Sequence, residues 1–189
     1  RAEHAQAVRS GIVPRIETIY VGGGTPSLLE PELLAELVGW IASLRAPGSE
    51  PEWSVEANPG AADPARLRIL RAAGVNRLSL GAQSFDDARL ALLGRRHDAD
   101  AIEAAVAAAR EVGFENLGLD LIAGGPRGGP APWRRTLDRA LALDPEHVSV
   151  YALTVEEGSA LARAAGGRKP RVSEGGMIRR IHEARAVLE

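Results

Sequence analysis

An α/β fold built on a parallel sheet is what this sequence predicts, and two patterns predict it. A short apolar run rich in β-branched residues, a turn carrying Gly, Pro or Asn, and an Ala/Leu-rich amphipathic segment follow one another about five times. The runs are short and close to continuously apolar, as strands covered on both faces are, whereas the segments between them space their apolar residues by three and four.

Taken in order, a first helix over Ala2 to Val8 leads into a strand at Glu17 to Val21, and further strands are expected at Trp53 to Ala57, Arg77 to Ala82, Leu117 to Ile122 and His147 to Leu153. Helices are expected at Pro31 to Leu44, Pro64 to Ala73, Asp86 to Leu93, Ala99 to Val112, Pro132 to Leu143 and Glu174 to Leu188. In the first of these Leu33, Leu34, Leu37, Val38 and Ile41 form one apolar stripe, and Pro31 suits a first helical turn. Gly74 and Gly113 follow helices where left-handed caps are expected, and Asp63 and either Asp98 or Asp100 are candidate N-caps. Gly124 to Pro132 and Ala165 to Pro170 read as the loosest segments. Alternation of this kind serves barrels and doubly wound sheets alike, so strand count alone does not separate them.

Bulk properties set the class. The chain has 189 residues, enough for one buried core, and 45% hydrophobic with 25% charged residues is the balance of a folded globular protein. Its 23 basic and 25 acidic residues give a net charge of -2, which excludes a nucleic-acid or anionic-membrane footprint. Apolar stretches break well before a spanning length and the first ten residues are polar, so membrane insertion is not expected and a cytoplasmic setting is. With 0 cysteines, neither disulfides nor thiolate metal sites can form. No initiator Met stands at the start, and the expectation is a single domain that is part of something longer.

The unusual residues gather at the carboxyl ends of the strands, the ligand-binding face of parallel α/β proteins: Gly22-Gly23-Gly24-Thr25-Pro26, Glu56 with Asn58-Pro59-Gly60, Gly81-Ala82-Gln83-Ser84-Phe85, Asp120 with Gly124-Gly125-Pro126, and Tyr151 to Glu156. Gly22 to Gly24 fits no phosphate-loop pattern; it serves either as a tight turn or as bare amides for a small polar group. Glu56 and Gln83 each have a bland reading, as a solvated rim carboxylate and a loop-bracing amide. Asp120 is harder to set aside, because an acid inside an apolar strand needs a partner. In Arg95-Arg96-His97-Asp98 an arginine can reach over the top face to a carboxylate, and His97 suits capping or hydrogen bonding better than metal ligation. A serine-hydrolase elbow is disfavoured because Gly81 to Phe85 lacks the closing glycine.

GGGTPSLL at 22–29, EANPG at 56–60, NRLSLGAQSF at 76–85, LGRRHDA at 93–99, NLGLDLIAGGP at 116–126 and EHVSVYALTVEEGSALA at 146–162, in that order, closely resemble the oxygen-independent coproporphyrinogen III oxidase-like radical S-adenosylmethionine (SAM) proteins, most of all the HemW haem-chaperone branch. The resemblance implies a partial (βα)6 TIM-like barrel of parallel strands with outer helices and SAM across the strand ends. It implies Gly23, Gly24 and Thr25 at the methionine amino group, Glu56 as the adjoining acid, Arg95 at the carboxylate, and Gln83 and Asp120 at the ribose. It also implies a 4Fe-4S cluster in full-length members, held by a C-x-x-x-C-x-x-C loop that has no counterpart here, and a C-terminal domain beyond this segment. Haem or a porphyrinogen is then the implied second partner, and the chain alone is expected to be inactive. The alternative is a degenerate, non-catalytic haem- or partner-binding barrel. Gly124-Gly125-Pro126-Arg127-Gly128-Gly129 stands where relatives read closer to YGLPGQT, and the expectation there is a loosened backbone.

Overall fold

In the computed structural model of the chain, residues 2–11, 16–46, 48–164 and 173–188 are described. Among them, five strands form one sheet: β1 (Thr18–Val21), β2 (Glu52–Ala57), β3 (Arg77–Gln83), β4 (Asn116–Ala123) and β5 (His147–Ala152). Every pairing is parallel and the spatial order is β1-β2-β3-β4-β5. A doubly wound sheet reverses its strand order at a switch point. An unbroken order with a helix after each strand is instead the wall of a barrel, so the partial barrel is the fold.

Helices α1 (Ala2–Arg9), α2 (Pro31–Ala42), α3 (Pro64–Ala73), α4 (Asp87–Leu92), α5 (Ala99–Val112), α6 (Pro130–Ala142), α7 (Ala160–Ala164) and α8 (Glu174–Leu188) complete the chain, with short 3-10 turns at Pro26–Leu28 and Pro59–Ala61. The caps follow the chemistry expected of them. Asp63 accepts from the amides of Ala65 and Arg66, Asp98 rather than Asp100 accepts from Ala101, and Gly74 and Gly113 close α3 and α5 at φ +101° and +93°. Both turns and α7 went unread in the sequence, because elements this short carry too little periodicity.

The strands differ from expectation in one respect: they alternate. Ile19 and Val21, Trp53, Val55 and Ala57, Leu78, Leu80 and Ala82, and Leu117, Leu119, Leu121 and Ala123 all lie in the core, with Leu34 and Val38 of α2, Leu67 and Leu70 of α3, Ile102 and Ala109 of α5, and Trp133 and Leu137 of α6. The intervening residues share the other face: the register aligns Tyr20 with Ser54, Glu56 with Ser79, Ser79 with Gly118, and Asp120 with Ser149. That face is polar or small almost throughout. Burial on both faces holds in the central strands, where Ser54, Ser79 and Gly118 are buried opposite the core, but only one side of the wall is oil-filled, so the expectation of near-continuous apolar runs is corrected by period-two alternation. Edge strands β1 and β5 are the least covered, with Tyr20 and Tyr151 62% and 58% exposed.

The loop Gly124 to Gly129 is also better held than its composition suggested. Arg89 of α4, only 3% exposed, donates to the carbonyls of Pro126, Ile122 and Gly124 at 2.9, 2.8 and 2.6 Å. Gly124 and Gly125 both adopt φ +81°, and a side chain at Gly125 would collide with Leu153. The second segment expected to be loose, Ala165 to Pro170, lies outside the described residues. Among the described residues no helix is long and apolar enough to cross a membrane.

Candidate functional site

One cavity opens at the carboxyl ends of β1 to β5. It is lined by Gly23, Thr25, Glu56, Ala57, Asn58, Ser79, Gly81, Gln83, Arg95, Asp120 and Tyr151, and its volume of about 250 Å³ is a little under the range of roughly 300–1,000 Å³ usual for small-molecule sites. Six of the seven residues singled out in the sequence line it. Gly24, the seventh, is not in the lining; it is the residue between Gly23 and Thr25, and a Cβ there would meet nothing within 4 Å.

At the β1 end the chain turns on Gly23 with φ +111° and on Thr25 with φ +50°. The second of these is a left-handed conformation that costs a branched residue of order 1 kcal/mol or more. Pro26 and Ser27 behind it are buried, and Ser27 Oγ accepts from the Asn58 amide at 3.1 Å, tying the β1 loop to the β2 loop. Glu56 is engaged on both oxygens: Tyr20 donates its hydroxyl to Oε1, and the Gly23 N–H donates to Oε2 at 3.3 Å. Gly22 leaves the space for this, since a Cβ there would stand 2.6 Å from Tyr20 Cε1 and 2.9 Å from the Glu56 carboxyl.

Across β3 and β4 the Ser79 hydroxyl donates to Asp120 Oδ2 at 3.0 Å. This is the partner the sequence demanded for Asp120 without naming it, although Asp120 is half-buried at the open face and not sealed in a covered strand. Beyond it the β3–β4 register shifts between Leu80 and Gln83, and Gln83 sits at φ +65°, almost fully buried, with its side-chain nitrogen 2.9 Å from where a Cβ of Gly81 would lie. Gln83 continues the alternation of Ser79 and Gly81 on the cavity face, and the register shift beside it marks an irregularity of the kind common near sites.

Arg95 follows α4 and is half-buried; its backbone N–H donates to the Leu90 carbonyl at 2.9 Å, and no hydrogen bond or ion pair to its guanidinium is found among the described residues. Burial lowers its pKa, but a guanidinium remains charged, so the cavity holds a cation in want of an anion. His97 lies behind it at 7% exposure, with Nε2 3.5 Å from the Ala82 carbonyl and Nδ1 without a partner. Its pKa is lowered by burial and, to a lesser extent, by the Arg95 charge, so the imidazole is neutral at physiological pH. Its one hydrogen-bond contact is the Ala82 carbonyl, and no group of three or more His, Cys, Asp or Glu that could hold a metal stands together among the described residues. Ser84 is excluded as a nucleophile: it is 1% exposed and accepts from the Asp86 amide at 3.1 Å.

The arrangement can bind a ligand with separated charges and hydroxyls: acceptors and a backbone amide at β1–β2, an unpaired guanidinium near the end of α4, and a carboxylate with an amide side chain at β3–β4. Tyr20 and Ser79 are the members sequence reasoning missed. Period-two alternation from Asp120 and Glu56 could have found them, once strand neighbours were known.

Comparison with known proteins gives a consistent result. The Radical SAM superfamily model matches residues 2–140. Heme chaperone HemW of Bacillus subtilis is 44% identical over 144 residues, which is 76% of this chain and 38% of that protein. The bovine mitochondrial Radical S-adenosyl methionine domain-containing protein 1 is 39% identical over 178 residues, covering 93% of this chain and 40% of its own length. Among solved structures, the Escherichia coli coproporphyrinogen III oxidase HemN, described as a radical SAM enzyme, superposes with a TM-score of 0.78 at 30% identity over 92% of this chain and 40% of that one. The chain thus spans about two fifths of the length of the proteins it matches.

Proposed function

The chain belongs to the radical SAM superfamily, and from that premise we propose that its cavity is a SAM pocket, with the methionine end at β1–β2 and the ribose at β3–β4. The observation that carries the reading is the unpaired Arg95 guanidinium in a cavity whose other charges, Glu56 and Asp120, are carboxylates. A zwitterionic amino acid joined to a nucleoside complements that set: Gly23, Gly24, Thr25 and Glu56 take the ammonium, Arg95 takes the carboxylate as a charge-assisted pair, and Asp120 and Gln83 take ribose hydroxyls.

A 4Fe-4S cluster, which the superfamily implies for full-length members, does not fit this chain. It has 0 cysteines, and the described residues offer no substitute cluster of ligands. SAM is then held by protein groups alone, and no redox step is assigned to these residues.

The test is calorimetric or NMR titration of the chain with SAM. Weak, saturable binding is expected, and Asp120→Ala should weaken it about tenfold, the equivalent of one charged hydrogen bond at roughly 1.4 kcal/mol. Equal binding by both proteins, or none by either, removes the pocket.

For the whole protein we infer a role in handling haem, supported by 36–44% identity to proteins named heme chaperones. The motif Thr154 to Ala162 supports delivery rather than oxidation. The whole protein is expected to take up haem and pass it to an apo-acceptor without decarboxylating coproporphyrinogen III anaerobically; decarboxylation would place it with the oxidases.

A further inference from the structure

Glu56 is a rim carboxylate with three rotatable side-chain bonds, and free rotation would spread its charge over much of the cavity mouth. Two donors prevent this. The Gly23 N–H meets one oxygen at 3.3 Å and the Tyr20 hydroxyl meets the other. Tyr20 is itself 62% exposed, so packing does not explain where its ring lies. Ring and carboxyl lie together over Gly22, within 2.6 and 2.9 Å of the place a Cβ would occupy. The β1–β2 register sets this up: Tyr20 pairs with Ser54, which puts Gly22 beside Glu56 on the same face.

We propose that Tyr20 is a positioning residue for the candidate SAM site, holding the Glu56 carboxylate in one orientation for the ammonium group of the ligand. The inference rests on the SAM reading and deepens it by naming what fixes the ammonium-binding acid. The hydrogen bond to Glu56, then burial and the nearby carboxylates, push the Tyr20 hydroxyl up to about 12. The phenol therefore keeps its proton throughout the physiological range and always donates. The Glu56 carboxyl retains lone pairs for a third donor.

Tyr20→Phe removes the hydroxyl and nothing else. With the full chain, affinities are measured for SAM and for 5′-methylthioadenosine, which has the nucleoside and sulfur but no amino acid group. Tyr20→Phe is expected to weaken SAM about three- to tenfold, the scale of one net hydrogen bond, and to leave methylthioadenosine unchanged. In a Glu56→Gln background the same substitution should have no further effect, as coupled residues require. Spectroscopic titration of the 2 tyrosines in the chain gives a ligand-free readout: Tyr20 ionises at about 12, and Glu56→Gln should bring it down. Undiminished SAM binding by Tyr20→Phe, equal losses for both ligands, or a loss that persists beside Glu56→Gln overturns the positioning role while leaving the pocket standing. If the unmodified chain binds neither ligand, the SAM reading fails and this inference fails with it.

Discussion

Arg89→Ala is expected to lower stability by about 3–5 kcal/mol, which for a chain of this length corresponds to a fall in Tm of roughly 10 °C. Few side chains here are so committed. The guanidinium is 3% exposed and saturates three carbonyls, those of Ile122, Gly124 and Pro126, where β4 turns into the loop before α6. Those carbonyls belong to a backbone that cannot satisfy itself, because Gly124 and Gly125 are both at φ +81°. Removing the side chain leaves buried acceptors unpaired, each costing about 1–3 kcal/mol before water enters. Among the described residues no carboxylate forms an ion pair with the guanidinium, so the loss is one of hydrogen bonds; Asp86 acts on it only through its charge. Arg89→Lys should recover less than half, since a single ammonium cannot span three carbonyls as a planar fork does. Denaturant melts of the three proteins decide it. A loss below about 1 kcal/mol for Arg89→Ala would mean that water replaces the guanidinium freely and that the loop is not pinned.

Arg89 also marks where sequence reading stops. It sits in the middle of an ordinary amphipathic segment, and nothing local distinguishes it from Arg68 or Arg71 on α3. Its burial comes from a loop more than thirty residues later folding over it. The strands, by contrast, were legible to within a residue or two, because each is bounded by turn residues and backed by an apolar run. Five of the seven candidate residues share the cavity for the same reason: the carboxyl ends of parallel strands are brought together by any fold of this class, barrel or doubly wound, and Arg95 joins them from the segment after α4. What alternation could not supply was lateral order. Ser79 reaches Asp120 across 41 positions and Tyr20 reaches Glu56 across 36, and both contacts depend on which strand is neighbour to which. The same gap hid the polar character of the sheet's second face. Ser54, Ser79 and Gly118 are buried on the polar face between larger neighbours and were hidden inside runs that looked continuously apolar.

Gly81→Val is expected to weaken SAM binding by about 5- to 150-fold with little change in stability. Gly81 lines the cavity, next to Leu80, whose strand neighbours are Ala57 and Leu119, so its missing side chain points between Glu56 and Asp120 rather than into the core. A Cβ there stands 2.9 Å from the Gln83 side-chain nitrogen and 3.9 Å from the Ala57 carbonyl. The isopropyl group would fill the floor and push Gln83 aside. Overfilling a shaped site costs about 1–3 kcal/mol, which is the source of the binding estimate. Stability should hold because valine suits a strand and the space it enters is open to solvent. The substitution adds atoms to the cavity and removes no charge, so it separates ligand accommodation from the general electrostatics of the rim in a way that Asp120→Ala does not. Near-normal SAM affinity in a folded Gly81→Val protein, read by the same titration with Tm as the control, would show that the ligand lies elsewhere on the strand ends. A collapse in Tm without ligand would instead show that Gly81 is needed for the β3 bulge that carries Gln83, and that the cavity floor is part of the folding core.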